Sequence, residues 1–323
     1  MKILIIGAAG MVGQKLVERL LGDGALDGQP IESMRLYDVV APQKPDARWP
    51  VETGAGDLSD PGEAARLVAD RPDVIFHLAA VVSGEAETDF DKGYRVNLDG
   101  TRQLFEEVRK LGYMPRLVFT SSIAVFGGPY PEAIGDEFLN APLSSYGVQK
   151  TCCELLLMDY TRKGFFDGIA LRLPTIVIRP GKPNKAASGF FSNILREPLS
   201  GEEAVLPVSR DVRFWMASPR SAASFLIHAA TLDTQKIGPR RALTMPGLSA
   251  TVGEMIEALE RIAGPQKTAL IREQPDALIS RLVSGWPYNF DAARALETGF
   301  EADKSVDEII RIHIEDELGG TIG

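Results

Sequence analysis

Tyr146 and Lys150 stand four residues apart in Ser144-Ser145-Tyr146-Gly147-Val148-Gln149-Lys150. On a helix, that spacing puts both side chains on one face, phenol beside ammonium. A free phenol, with a pKa of about 10, is a poor base at neutral pH. A neighbouring cation favours the phenolate and lowers that pKa. The pair is therefore suited to taking a proton from a hydroxyl or returning one. The same spacing also arises where a buried tyrosine merely precedes a solvated lysine, so the surroundings decide. Ser122 belongs to Thr120-Ser121-Ser122, which follows the apolar run Leu117-Val118-Phe119. At a strand end near Tyr146, its hydroxyl would hold the reacting oxygen while the proton moves. A serine-rich turn is the alternative.

The loop Gly7-Ala8-Ala9-Gly10-Met11-Val12-Gly13 lies between an apolar run and an amphipathic one. Glycines there let the backbone turn tightly and approach a pyrophosphate. The helix that follows supplies N–H groups and a partial positive charge. Asp38 closes the next apolar run. An acidic side chain at that point accepts hydrogen bonds from the adenosine ribose and repels a 2′-phosphate, which predicts NAD over NADP. A plain turn aspartate is the alternative. Asp57 and Leu58 would flank the adenine. Leu78, Ala79 and Ala80 leave room for the diphosphate and ribose, and His77 before them reads as a core residue.

These residues need a scaffold, and the first half of the chain supplies one. Short apolar runs at Lys2–Ile6, Met34–Tyr37, Trp49–Glu52, Asp73–Leu78, Arg116–Thr120 and Gly168–Arg172 read as strands. Between them, Met11–Leu21, Pro61–Ala69, Phe90–Leu111 and Tyr146–Lys163 read as helices, the first with Val12, Leu16, Val17 and Leu20 as its apolar stripe. Alternating strands and helices imply an α/β, Rossmann-type, doubly wound parallel sheet with ligands at the carboxyl strand ends. Prolines 174, 180, 183, 198, 207 and 219 interrupt the pattern after Arg172. Helical stretches return at Ala222–Thr231, Val252–Ala263 and Ser305–Glu317. Residues 1–172 are thus expected to bind the dinucleotide. Residues 173–323 are expected mainly to form a smaller substrate-binding lobe, with some segments rejoining the sheet.

Composition narrows the functional classes. Of 323 residues, 45% are hydrophobic and 24% charged, an ordinary balance for a soluble globular protein. A net charge of −9 argues against bulk attraction to nucleic acid or an anionic membrane. Cys152 and Cys153 are the only cysteines, and adjacent helical cysteines are poorly placed to bridge each other. The three histidines fall in no metal-ligand spacing, so no metal is expected. The apolar run near the N-terminus is too short for a signal peptide, and no run reaches membrane-spanning length. A cytoplasmic location is the expectation.

Taken together, Gly7/Gly10/Gly13, Asp38, Asp57-Leu58, His77-Leu-Ala-Ala80, Asn97, Ser121-Ser122 and Tyr146/Lys150 resemble the extended short-chain dehydrogenase/reductases, the NAD-dependent epimerase/dehydratase family. The resemblance covers most of the chain. It implies that Tyr146 is the general acid/base, that Lys150 lowers its pKa and holds the nicotinamide ribose, and that Ser122 binds the reacting oxygen. It also implies that Asn97 supports the site geometry and that Pro174 lies along the nicotinamide. Two helices, near Phe90–Leu111 and Tyr146–Lys163, commonly form a dimer interface in this family, so a homodimer is expected. The apolar run Leu155–Met158 fits that interface or core packing.

Most extended members act on nucleotide-linked sugars, and this chain departs from their pattern. It has Arg172-Leu-Pro-Thr175 in place of Arg-Tyr-Phe-Asn, and Arg213-Phe-Trp-Met-Ala-Ser-Pro219 where Val-Asp-Asp is usual. The segments Ile178–Phe190, Arg196–Leu199, Arg213–Arg220 and Phe300–Glu308 are instead similar to the D-erythronate dehydrogenase subgroup. That resemblance implies oxidation of a small anionic sugar acid at C2 to the 2-oxo acid. Arg179, Lys182, Asn184, Lys185, Ser188 and Arg213 are available to bind it, and Arg179 and Arg213 have the planar fork that suits a carboxylate. A nucleotide-sugar epimerase or dehydratase with tightly held NAD is the alternative, and a non-catalytic NAD-binding regulator a more distant one.

Overall fold

The computed structural model describes residues 1–181 and 188–323. Lys182, Asn184 and Lys185 lie outside the described residues. Strands β1 (Lys2–Ile6), β2 (Ser33–Asp38), β3 (Val51–Ala55), β4 (Val74–His77), β5 (Arg116–Ser122) and β6 (Asp167–Leu173) follow one another along the chain. Strands β7 (Thr175–Ile176), β8 (Arg213–Ala217) and β9 (Ala242–Thr244) lie in the second half. The main sheet runs β9-β6-β5-β4-β1-β2-β3, with every pairing parallel. The strand order reverses direction between β1 and β4, which opens a crevice beyond their carboxyl ends.

Both faces of this sheet are covered, which explains why its strands are apolar runs rather than alternations. Along β1, Ile3 and Ile5 join the core on one face while Leu4 and Ile6 join the core on the other. Helix α1 (Met11–Asp23) buries Leu16, Val17 and Leu20 on the first face, the expected stripe. Helices α2 (Glu63–Val68), α3 (Thr101–Leu111) and α4 (Ser145–Arg162) cover the second.

Two expectations are corrected. The stretch expected as one helix from Phe90 to Leu111 is helical but broken, with a π-helical segment, Tyr94–Gly100, before α3. Asn97 sits in that segment, and its carbonyl accepts hydrogen bonds from Thr101 Oγ1 and Cys153 Sγ. The third strand begins at Val51 rather than Trp49, because Pro50 has no N–H for a ladder, although its carbonyl accepts from Met34 N.

Past Leu173 the chain builds a second core. Helices α5 (Gly189–Leu199), α6 (Pro219–Thr231), α7 (Val252–Ala263) and α8 (Val306–Glu317) appear in this half. Of these, α5, α7 and α8 pack around Phe191, Phe214, Met216 and Leu259. Strand β8 pairs with β7 and, antiparallel, with β10 (Leu248–Thr251). Strand β9 leaves this half to extend the main sheet beside β6, and α6 packs on the first face of that sheet.

Candidate active site

The nucleotide end is built by close backbone approach. Gly7 has φ +95°, and a Cβ there would lie 2.5 Å from the Ala79 nitrogen. A Cβ on Gly13 would lie 2.2 Å from the Gly7 carbonyl oxygen. Only glycine fits at either position, so the loop is held tight against the end of β4. Gly10 precedes α1 in extended conformation, with no side chain capping the first-turn N–H groups of Met11, Val12 and Gly13. Asp38 Oδ2 accepts from Ala9 N at 2.9 Å, tying the loop to the end of β2, while its Oδ1 accepts from Val39 N. Leu78, Ala79 and Ala80 are partly exposed in the crevice.

Asp57 and Leu58 follow β3. Asp57 accepts from Ser59 N and Oγ and from Arg95. Burial pushes its carboxyl up, yet those donors outweigh it and hold the pKa below the usual range. Leu58 is buried in the core. Asn97 is also buried: its Oδ1 accepts from Val81 N at 2.7 Å, and its Nδ2 donates to Val81 O and Gln149 Oε1. It thereby joins the strand-end loop to α4. His77 is a core residue whose Nε2 pairs with Thr101 Oγ1, and burial, with the Lys150 charge, pushes its pKa down to about 3.

The chemical end gathers on β5 and α4. Ser144 caps α4, its Oγ accepting from Gly147 N. Ser122, partly exposed, ends β5 and accepts from Ala124 N at 3.1 Å. Lys150 is fully buried and donates to the Thr120 carbonyl at 2.8 Å, with Nζ 5.6 Å from the centre of the Tyr146 ring. Burial pushes its pKa down to about 8, against the raising influence of Cys153 and Glu154.

Tyr146 departs from expectation. Burial pushes its phenol up to about 12, and the groups pulling it back down are the Ser122 hydroxyl and the Arg179 guanidinium. Lys150 does not set that balance here: it is turned to the Thr120 carbonyl and has itself lost part of its preference for charge.

Arg179 is thus a second cation at the phenol. Its Nη2 donates to Ser188 Oγ at 2.8 Å and its Nε to Ile176 O at 3.1 Å. Its backbone is held by α5: Arg179 N donates to Ser192 Oγ, and Arg196 Nη1 donates to Arg179 O. Among the described residues it has no ion-pair partner, and the segment 182–187 contains no acidic residue that would provide one. Pro174 is buried between β6 and β7. Arg213 opens β8. It donates to Ser249 O, approaches Glu254 at 3.4 Å, and lines a cavity of about 370 Å³ with Glu132, Tyr288 and Asn289. The sequence reading missed Thr120 O and Gln149. The first is a backbone acceptor with no side-chain signature. The second lies between Tyr146 and Lys150, and no local pattern ties it to Asn97.

A seven-stranded parallel sheet with a glycine cradle at the β1–α1 turn defines a dinucleotide-binding protein of Rossmann type. The chain belongs to the NAD dependent epimerase/dehydratase family, which matches residues 3–219. Its cofactor is NAD, and the cradle, the uncapped α1 terminus and Asp38 fit that molecule. The chain is 50% identical to a D-erythronate dehydrogenase of Cupriavidus necator over 98% of both chains. It is 43% identical to a D-erythronate dehydrogenase of Haemophilus influenzae over 98% of this chain and 99% of the other. A solved structure described as a nucleoside-diphosphate-sugar epimerase from Agrobacterium tumefaciens is 64% identical, with TM-score 0.98, over 100% of this chain and 96% of that one.

Proposed function

We propose that this chain is an NAD-dependent dehydrogenase that oxidises the C2 hydroxyl of a small sugar acid of the D-erythronate kind. The observation that carries the substrate class is Arg179. A guanidinium held beside Tyr146 with no carboxylate of the described residues on it is suited to the carboxylate of a substrate. With the carboxylate on Arg179, C2, the carbon next to that carboxylate, would be the hydroxyl-bearing carbon closest to the guanidinium that neighbours the phenol. Two relatives named for D-erythronate, aligned over nearly the whole chain, support the same class.

The reaction assigns a task to each residue. Tyr146 Oη, as phenolate, takes the C2 hydroxyl proton. Ser122 Oγ holds that oxygen as it becomes a carbonyl. Lys150, fixed by Thr120 O, holds the cofactor ribose and places positive charge under the phenol ring. Bound at Gly7–Gly13 and Asp38, NAD supplies the acceptor for the hydride that leaves C2. Asp57, Leu58, Leu78, Ala79, Ala80, Asn97 and Pro174 shape its bed. Positioning and charge placement by the protein supply the rate.

The second reading is a nucleotide-sugar epimerase, favoured by the description of the 64% identical structure. It predicts no net NADH. Mixing the protein with NAD and a panel of C4 to C6 aldonates, beside a nucleotide-sugar panel, separates the two by NADH absorbance. Silence with every aldonate sinks the dehydrogenase reading.

We further assign cofactor binding to residues 1–172 and substrate shaping mainly to 173–323. We also infer a cytoplasmic homodimer. Exposed Phe90, ahead of α3, and exposed Leu155, on α4, support an interface on those helices. Free thiols at Cys152 and Cys153 suit a reducing compartment. A monomer by light scattering would refute the dimer.

A further inference from the structure

Beneath Ser122 and Lys150 lies an ion pair that the proposed reaction does not use. Glu154 is one helical turn beyond Lys150 on α4, and Arg172 lies near the end of β6; both are buried. The Arg172 guanidinium donates to Glu154 Oε2 through Nη2 at 2.8 Å and to Oε1 through Nε at 2.9 Å. Ser121 Oγ donates to Oε1 at 2.6 Å, and Asn140 Nδ2 donates to Oε2 at 3.0 Å. The guanidinium also lies over the Phe126 ring, 4.9 Å from its centre. Both carboxylate oxygens are therefore filled: Oε1 by two donors and Oε2 by three, Arg172 Nε being shared between them.

The partners are the neighbours of the reacting residues. Ser121 precedes Ser122. Arg172 is two residues before Pro174. Asn140 lies on the loop that leads to Ser144, the cap of the helix carrying Tyr146. The pair joins β5, α4, β6 and that loop at one point.

Stability alone does not account for the pair. Removing two charges from water costs as much as their attraction returns, and well-packed apolar replacements are often as stable or more so. What such a pair supplies is fixed geometry. We propose that Glu154 and Arg172 are positioning residues, whose buried ion pair sets β5, α4 and β6 in register and so holds Ser122, Lys150 and Pro174 in their mutual placement. The proposal rests on the reading of Ser122, Tyr146 and Lys150 as the reacting group. The charge of Glu154 also helps Lys150 keep its proton.

The test compares Glu154→Gln, Ser121→Ala and the apolar double variant E154M/R172M with the wild type, on whichever substrate the wild type turns over. Failure of the aldonate reading and failure of this proposal are then separate results. Displacements of about 1 Å at a reacting group cost on the order of 100-fold in rate. Glu154→Gln is expected to lower kcat by about 10- to 100-fold, with NAD affinity by fluorescence titration within about threefold. The alkaline limb of its kcat profile should move to lower pH, since Lys150 loses a raising influence. Ser121→Ala should lose about three- to tenfold in kcat with its Tm near that of the wild type. The double variant should fold with an equal or higher Tm and still lose about tenfold in kcat. If folded Ser121→Ala and E154M/R172M both keep kcat within about twofold of the wild type, the pair is structural only and the proposal fails.

Discussion

Gly147 lies so close to Ala124 that a Cβ at 147 would sit 2.2 Å from the Ala124 carbonyl oxygen. Ala124 belongs to the short 3-10 turn immediately after Ser122, and Gly147 follows Tyr146. This contact seats the head of α4 on the end of β5 and brings hydroxyl and phenol together. Gly147→Ala must push the two backbones apart. A shift near 1 Å is expected to reduce kcat by on the order of 100-fold, with a smaller effect on NAD affinity. Stopped-flow rates and a fluorescence titration check this. A variant with wild-type kcat would show that the contact does not set the site.

Arg179 offers a prediction with two readouts. Its charge lowers the Tyr146 pKa against burial, so its removal raises that pKa. The acid limb of kcat should therefore move to higher pH in Arg179→Gln. The same variant loses the cation for the substrate carboxylate. A hydrogen bond to a charged group contributes about 1.5 to 3 kcal/mol, so KM should rise roughly 10- to 100-fold. Ser188→Ala, which removes one support of the guanidinium, should show a weaker form of both effects. A raised KM with an unmoved acid limb would separate Arg179 from the phenol.

Asp38 holds the glycine loop through Ala9 N, and an acid at this strand end is suited to favouring NAD over NADP. Asp38→Asn keeps an acceptor for that bond while removing the charge that repels a 2′-phosphate. Preference for NAD over NADP should fall by at least about tenfold, the size of effect expected from one charged hydrogen bond. Paired titrations with NADH and NADPH measure the ratio. An unchanged ratio would relocate specificity to another residue.

The dinucleotide half was readable because its signals are local. A buried parallel strand is an apolar run, and the glycines mark positions where any Cβ collides. What local patterns do not carry shares a cause. The π-helical turn at Tyr94–Gly100 is fixed by partners on α4 and on the loop after β4, so helical periodicity passes over it. Lys150 reads as the partner of Tyr146, but nothing in the sequence ties Glu154, four residues on, to the same site. Their burial depends on β5 and β6, which no local pattern carries. Arg213 reads as a substrate cation from its place in a motif, and only the fold shows that Ser249 and Glu254 hold it on a cavity lined also by Glu132, Tyr288 and Asn289. The phenol pKa turns on burial as well as on a neighbouring cation, and only the fold says how buried the phenol is.

His313, on α8, is buried, and neither ring nitrogen has a hydrogen-bond partner among the described residues. Burial pushes its pKa down to about 4, with Arg196 and Lys15 adding to the shift and Glu317 and Asp316 opposing it. The unfolded chain titrates this ring near its ordinary value of about 6.5. Between those two values the unfolded state binds a proton that the folded state does not, so stability falls as pH falls from about 6.5 to 4. The full swing is about 3 kcal/mol. His77, held lower still, acts in the same direction. His313→Leu should flatten the decline in Tm across that window, whatever its effect on Tm at neutral pH. Thermal melts of both proteins from pH 7 to pH 4 give the slopes. Equal slopes would mean that His313 titrates alike in the folded and unfolded chains.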